Sequence, residues 1–111
     1  MKTEEQMIEN VVVLKLFDQI NMESCAELKG VVSSKVSNNQ VKLLLDFTNV
    51  ESIDSSGLGM LISCQKYVKE AGGSMKISQL HNGAKNTFYV TRMDRVFEIF
   101  DNNELALDSF R

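Results

Sequence analysis

Apolar and polar positions fall in blocks along this chain, and the blocks carry two different periods. Val11-Val12-Val13-Leu14-Lys15-Leu16-Phe17 is β-branched and apolar, which predicts a strand. The stretch from Glu5 to Glu9 can pair with it as an edge strand across a turn at Glu9-Asn10. Asp18-Gln19-Ile20-Asn21 reads as a polar turn, with Asn21 as a helix N-cap and Glu23 in the favourable first turn. The helix runs from about Met22 to Val36, because Cys25, Leu28, Val32 and Val36 recur at helical spacing. Ser37-Asn38-Asn39-Gln40 interrupts it. Val41-Lys42-Leu43-Leu44-Leu45-Asp46-Phe47 is then nearly continuous in apolar character, as in a central strand covered on both faces.

Thr48 to Ser55 is polar and predicts a loop, followed by a helix from Ser56 to about Glu70 that Gly72-Gly73 terminates. Met75 to Leu80 alternates like a strand, and His81-Asn82-Gly83 reads as a turn. Ala84 to about Met93 predicts a short helix with Ala84, Phe88 and Thr91 inward. Val96 to Phe100 is a last strand, and Asn102-Asn103-Glu104 can cap a terminal helix carrying Leu105 and Phe110. The β-α-β crossovers imply parallel strand pairs with right-handed connections. The expected fold is a single α/β domain over residues 1–111. Its sheet is mixed but mostly parallel, with four to five strands and about four helices.

Length and charge narrow the function. A chain of 111 residues suits one domain that buries a sufficient core without metal or disulfide. The net charge is −3 and no basic run stands out, so nucleic acid is not an expected partner. Met1-Lys2-Thr3-Glu4-Glu5-Gln6 lacks the apolar stretch of a signal peptide, and no apolar run is long enough to span a bilayer. A cytosolic protein without membrane attachment is expected. Cys25 and Cys64 form no CxxC pair and read as reduced thiols on packed helix faces. No cofactor and no metal are expected.

The informative stretch is Val50-Glu51-Ser52-Ile53-Asp54-Ser55-Ser56-Gly57-Leu58-Gly59-Met60-Leu61-Ile62, between a buried strand and a helix. Loops at the carboxyl ends of parallel strands are where such folds bind ligands. Gly57 and Gly59 supply G-x-G, but a third glycine and a Gly-Lys-Ser/Thr are both missing, which argues against a phosphate cradle. A nucleophilic serine would need G-x-S-x-G and a base, and His81, the one histidine, lies in a turn. The third reading is a helix N-terminus that exposes a modifiable hydroxyl. Ser55 and Ser56 are natural caps, and Gly57 and Gly59 leave room for an approaching partner. Simple capping by Ser-Ser-Gly stays open beside it.

Along the helix, Leu58, Leu61, Ile62 and Val68 are expected to face the sheet, with Gln65 unexplained among them. Ser56, Met60, Ser63 and Tyr67 follow at i, i+4, i+7 and i+11, one outward stripe that suits docking or consists of scattered surface residues.

Asp54-Ser55-Ser56-Gly57-Leu58-Gly59, following the buried 41–47 strand and the run to Ile53, closely resembles the STAS domain, in particular the bacterial anti-sigma factor antagonists. The similarity covers nearly the whole chain in element order. It implies a non-enzymatic partner switch. The unphosphorylated protein would bind an anti-sigma factor with serine kinase activity and release the sigma factor. Phosphorylation of Ser56, from ATP held by that partner, would block binding, and a metal-dependent serine phosphatase would reset it. The implied contact set is Asn21, Asp54, Ser55, Ser56, Gly57, Leu58, Gly59, Met60, Ser63 and Tyr67. The alternative is a constitutive STAS adaptor on a transport ATPase, a sensor complex or a secretion or biofilm regulator, with Ser56 never modified. The family turn Gly-x-Leu/Ile-Asp reads Asp18-Gln19-Ile20-Asn21 here, so Asn21 keeps the capping ability and drops the charge.

Overall fold

In the computed structural model, which describes residues 2–111, Thr3–Ile8 (β1) and Val11–Ile20 (β2) form an antiparallel hairpin. Its turn residues, Glu9 at φ 48° and Asn10 at φ 71°, both adopt the left-handed conformation that two-residue hairpin turns require. Met22–Ser37 (α1) crosses to Lys42–Ile53 (β3), and Ser55–Glu70 (α2) crosses to Ser74–Ser78 (β4). Asn82–Val90 (α3), a 3₁₀ turn at Met93–Arg95, Ile99–Phe100 (β5) and Asn103–Ser109 (α4) complete the order. The strands lie in the order β1-β2-β3-β4-β5, with every pair after the hairpin parallel.

The two faces of the sheet differ in their cover. Val12, Leu14 and Leu16 of β2 and Leu43, Leu45 and Phe47 of β3 pack with Leu28, Val32, Leu61, Val68 and Phe88 into the main core. Phe47, Phe88 and Phe97 meet edge to face within it. The other face is small: Val11, Val13 and Leu44 pack with Ala106 of α4, and Ile8, Phe100, Leu107 and Phe110 lie at the margin.

Residues 18–20 of the expected turn and 48–53 of the expected loop are strand instead, while Asn21 is the helix cap as expected. β2 continues to Ile20 and β3 to Ile53. In β2 the alternation breaks at Asp18, which is exposed and left-handed at φ 66°, and in β3 it breaks at two bulges: Lys15 pairs with Asp46 but Phe17 with Asn49, and Asp18 pairs with Val50 but Gln19 with Ser52. Each bulge inserts a residue and breaks the period of two. The inward series therefore runs Leu43, Leu45, Phe47, then jumps to Val50 and Ile53. A strand pattern read at strict alternation stops at the first jump.

Other boundaries shift for local reasons. α3 ends at Val90, and Thr91 is exposed, its hydroxyl turned back to the Thr87 carbonyl at 2.6 Å. Val96 is outside the last strand, which pairs only Ile99 and Phe100 with Ile77 and Ser78. Leu105 is exposed, and Ala106 takes the buried position of α4. Gly72 ends α2 at φ +87°, a conformation that favours glycine.

Candidate partner-binding site

α1 and α2 each contain 16 residues, begin at the carboxyl ends of β2 and β3 respectively, and pack side by side. Their first turns form the site. At α2 the cap is Asp54, one residue before the serines expected to provide it: its Oδ1 accepts from the Gly57 amide at 2.9 Å. The Asp54 amide in turn donates to the Ile20 carbonyl at 3.1 Å, tying the cap to the end of β2. With the cap supplied by a carboxylate, Ser55 and Ser56 stand in the first turn of the helix itself. Ser55 is exposed and Ser56 half-buried.

Gly57 is required by space rather than by an approaching partner. A Cβ there would lie 2.7 Å from the Ile20 carbonyl oxygen and 2.8 Å from Cγ1 of Ile53. The helix start therefore sits directly on the ends of β2 and β3, and a side chain would lift Ser56 off that platform. Gly59 is different: it is exposed, and a Cβ there would meet nothing within 4 Å.

The outward stripe needs correction. Met60 is buried, its Sδ beside Cys64 Sγ at 3.6 Å, so it belongs to the core. Leu58 and Gly57 are also buried and shape the surface without presenting a side chain to it. Ile62, expected inward, is 38% exposed. Ser63 is exposed and Tyr67 is 46% exposed; both remain outward. Gln65 now has a reason to be inside, because its Nε2 donates to the Val96 carbonyl at 2.9 Å and satisfies the turn before β5.

α1 supplies the other wall. Asn21 caps it, accepting from the amides of Glu23 at 3.0 Å and Ser24 at 3.2 Å, while Ser24 Oγ accepts from the Asn21 amide at 2.9 Å, a full capping box. Asp18, standing where the family turn carries glycine, adopts φ 66°, a left-handed conformation that aspartate tolerates better than most residues. Cys25 Sγ donates to the Ser56 carbonyl at 3.5 Å, so the two helix starts touch at the serine itself. Sequence periodicity places Cys25 on a packed face but cannot show that its neighbour is Ser56.

Two hollows flank the contact. One of about 440 Å³ is lined by Asp18, Gln19, Asn21, Glu23, Ser24, Glu27 and Glu51 and is acidic. The other, about 250 Å³, runs between the helices past Lys29, Val32, Ser33, Ser63, Cys64 and Tyr67.

His81 Nε2 lies 2.8 Å from the Thr48 carbonyl, which only accepts, so Nε2 is the donor in that hydrogen bond. Burial pushes the Cys64 thiol up to about 11, and burial followed by the Asp54 charge also raises Cys25, so neither is a ready nucleophile at neutral pH. Among the described residues no group of three or more His, Cys, Asp or Glu side chains could hold a metal ion, and no helix is long and apolar enough to cross a membrane.

The family model of the STAS domain matches residues 2–106. A candidate anti-sigma factor antagonist of Thermotoga neapolitana is 30% identical over 104 residues, spanning 93% of this chain and 92% of that protein. The crystal structure of a candidate anti-sigma factor antagonist from Thermotoga maritima matches with a TM-score of 0.89 at 24% identity, over 96% of this chain and 92% of that one. The Bacillus cell fate determinant SpoIIAA, solved in its phosphorylated form, shares the fold with a TM-score of 0.74 at 16% identity, over 99% of this chain and 100% of that one.

Proposed function

This chain belongs to the STAS domain family, and on that premise we propose that it is an anti-sigma factor antagonist switched by phosphorylation of Ser56. In its unphosphorylated form it binds an anti-sigma factor with serine kinase activity, which frees the sigma factor. Phosphate on Ser56 blocks that binding, and a metal-dependent serine phosphatase removes it. Relatives that bear the anti-sigma factor antagonist name support the general role. The observation that carries the switch is local: the α2 cap is Asp54, so the cap hydrogen bond does not use the Ser56 hydroxyl, and Ser56 is only half-buried in the first turn.

The physics of the step follows from that placement. A phosphate adds about −1.5 to −2 charges. At a helix N-terminus the free amides and the dipole tolerate an anion, so the fold survives. Asp54 beside it, and Asp18, Glu23 and Glu51 around the neighbouring hollow, make the added charge unfavourable for a surface that must be desolvated by a partner. Asn21, Asp54, Ser55, Gly59, Ser63 and Tyr67 are the remaining contact positions with surface to offer, and Gly57 and Leu58 hold the helix start in place.

The test uses the purified chain, ATP and the serine-kinase anti-sigma factor encoded in the same genome. One phosphate is expected on Ser56 by peptide mass mapping, none on Ser56→Ala, and the phosphorylated chain no longer binds. Phosphate on Ser55 would move the site by one residue. Stable binding with no modification of Ser56 would overturn the switch and leave a constitutive adaptor.

A further inference from the structure

The second face of the sheet holds a buried carboxylate that the switch does not use. Asp46 is 2% exposed. Its Oδ1 accepts from the Thr48 amide at 2.8 Å and from the Thr48 hydroxyl at 2.6 Å. Its Oδ2 accepts from Asn103 Nδ2 at 2.9 Å, in the first turn of α4. Asn103 Oδ1 is held in turn by the hydroxyl of Ser78, a fully buried residue that pairs with Asp46 across the β3–β4 ladder. Each polar atom of this cluster has a partner, as buried polar groups require. No salt bridge to a cation holds Asp46 among the described residues, so these donors are what hold its side chain.

Thr48 lies in the first of the two β3 bulges, where the ladder to β2 skips from Asp46 to Asn49. An aspartate that binds the backbone two residues on is a common way to hold such an irregularity. The bulge has a consequence downstream. It turns Val50 into the core; the second bulge turns in Ile53; Ile53 and Ile20 are the platform on which Gly57 rests. A slip at Thr48 would rephase the whole run that ends in Asp54, because each residue of shift exchanges the faces of a strand.

We infer that Asp46 is a positioning residue for the Ser56 surface: one oxygen locks the bulge that sets the register of residues 48–54, and the other locks α4 to the same point, so α4 and the α2 start are coupled through the sheet. The inference concerns the site of the proposed switch and draws its importance from that reading, but its test needs neither kinase nor partner. It is site-resolved amide hydrogen exchange on the whole chain, comparing wild type with Asn103→Ala and Asn102→Ala. Both residues serve the start of α4. Asn102 Oδ1 caps it through the Leu105 amide at 2.8 Å, without touching Asp46.

Both substitutions are expected to fray α4. Only Asn103→Ala is expected to speed exchange across residues 48–57, about tenfold, since leaving a buried acceptor without its donor shifts an opening equilibrium by roughly that factor. Exchange in the second half of α1 and in β1 stays at the wild-type rate. Asp46→Asn, which replaces an acceptor facing Asn103 by a donor, is expected to produce the same pattern with a larger rise. Unchanged exchange at 48–57 in Asn103→Ala would overturn the coupling, and an equal rise at 48–57 in Asn102→Ala would assign it to α4 as a whole and not to Asp46. Neither result would bear on whether Ser56 is phosphorylated.

Discussion

The first turns of α1 and α2 each follow an Asn or Asp cap and each hold serine, which they put to opposite uses. At α1, Ser24 is 8% exposed and its hydroxyl is absorbed: it accepts from the Asn21 amide and donates toward the Gln19 and Asn21 carbonyls. At α2 a carboxylate does the capping through one amide, and the two serines that follow are left out of the cap, Ser55 exposed and Ser56 half-buried. A serine at a helix start is therefore not by itself a signal. What distinguishes a structural serine from an available one is whether another side chain has already taken the cap.

Substitutions can break this contrast at several depths. The deepest is Gly57→Ala. The added methyl meets the Ile20 carbonyl and the Ile53 side chain, and about 2–3 kcal/mol of stability should be lost, measured by urea unfolding. Gly59→Ala has no such clash and serves as its control. Asn21→Ala comes next at about 1–2 kcal/mol, because two α1 amides lose their acceptor, and it should exceed Asp54→Ala, where one amide does, at about 1 kcal/mol. Equal losses at the two caps would erase the asymmetry. Ser24→Ala against Ser56→Ala is the sharpest pair: about 1 kcal/mol for the first and within about 0.5 kcal/mol for the second. A large loss for Ser56→Ala would make that serine structural. Gly59→Ala differs in sign, a gain of up to about 1 kcal/mol from helix propensity at an open position.

Much of this was legible in the sequence, and the gaps have physical causes. The hairpin turn at Glu9-Asn10, the α1 cap at Asn21 and the buried run of β3 follow from residue chemistry within a few positions of chain. The far half of β3 did not, because two bulges break the alternation on which strand reading depends. The α2 face departs from its expected stripe at Met60 and Ile62, since the helix packs against α1 as well as the sheet, which turns the buried arc toward Met60 and away from Ile62. Gln65 looked misplaced because its partner, the Val96 carbonyl, lies 31 residues away in sequence. The same holds for the contact of Cys25 with Ser56 and of Asp46 with Asn103: long-range neighbours are a property of the topology and leave no local trace.

The central claim is that one anion at Ser56 vetoes association while leaving the fold intact. Its most direct test is a titration of wild type, Ser56→Ala and Ser56→Asp against the serine-kinase anti-sigma factor, with thermal unfolding of the same three samples. The expected result is near-equal affinity for wild type and Ser56→Ala, and weakening of about 100-fold or more for Ser56→Asp, as a loss of ~3 kcal/mol gives, with closely similar melting temperatures throughout. Undiminished binding by Ser56→Asp, or weakened binding accompanied by a marked fall in its melting temperature, would contradict it.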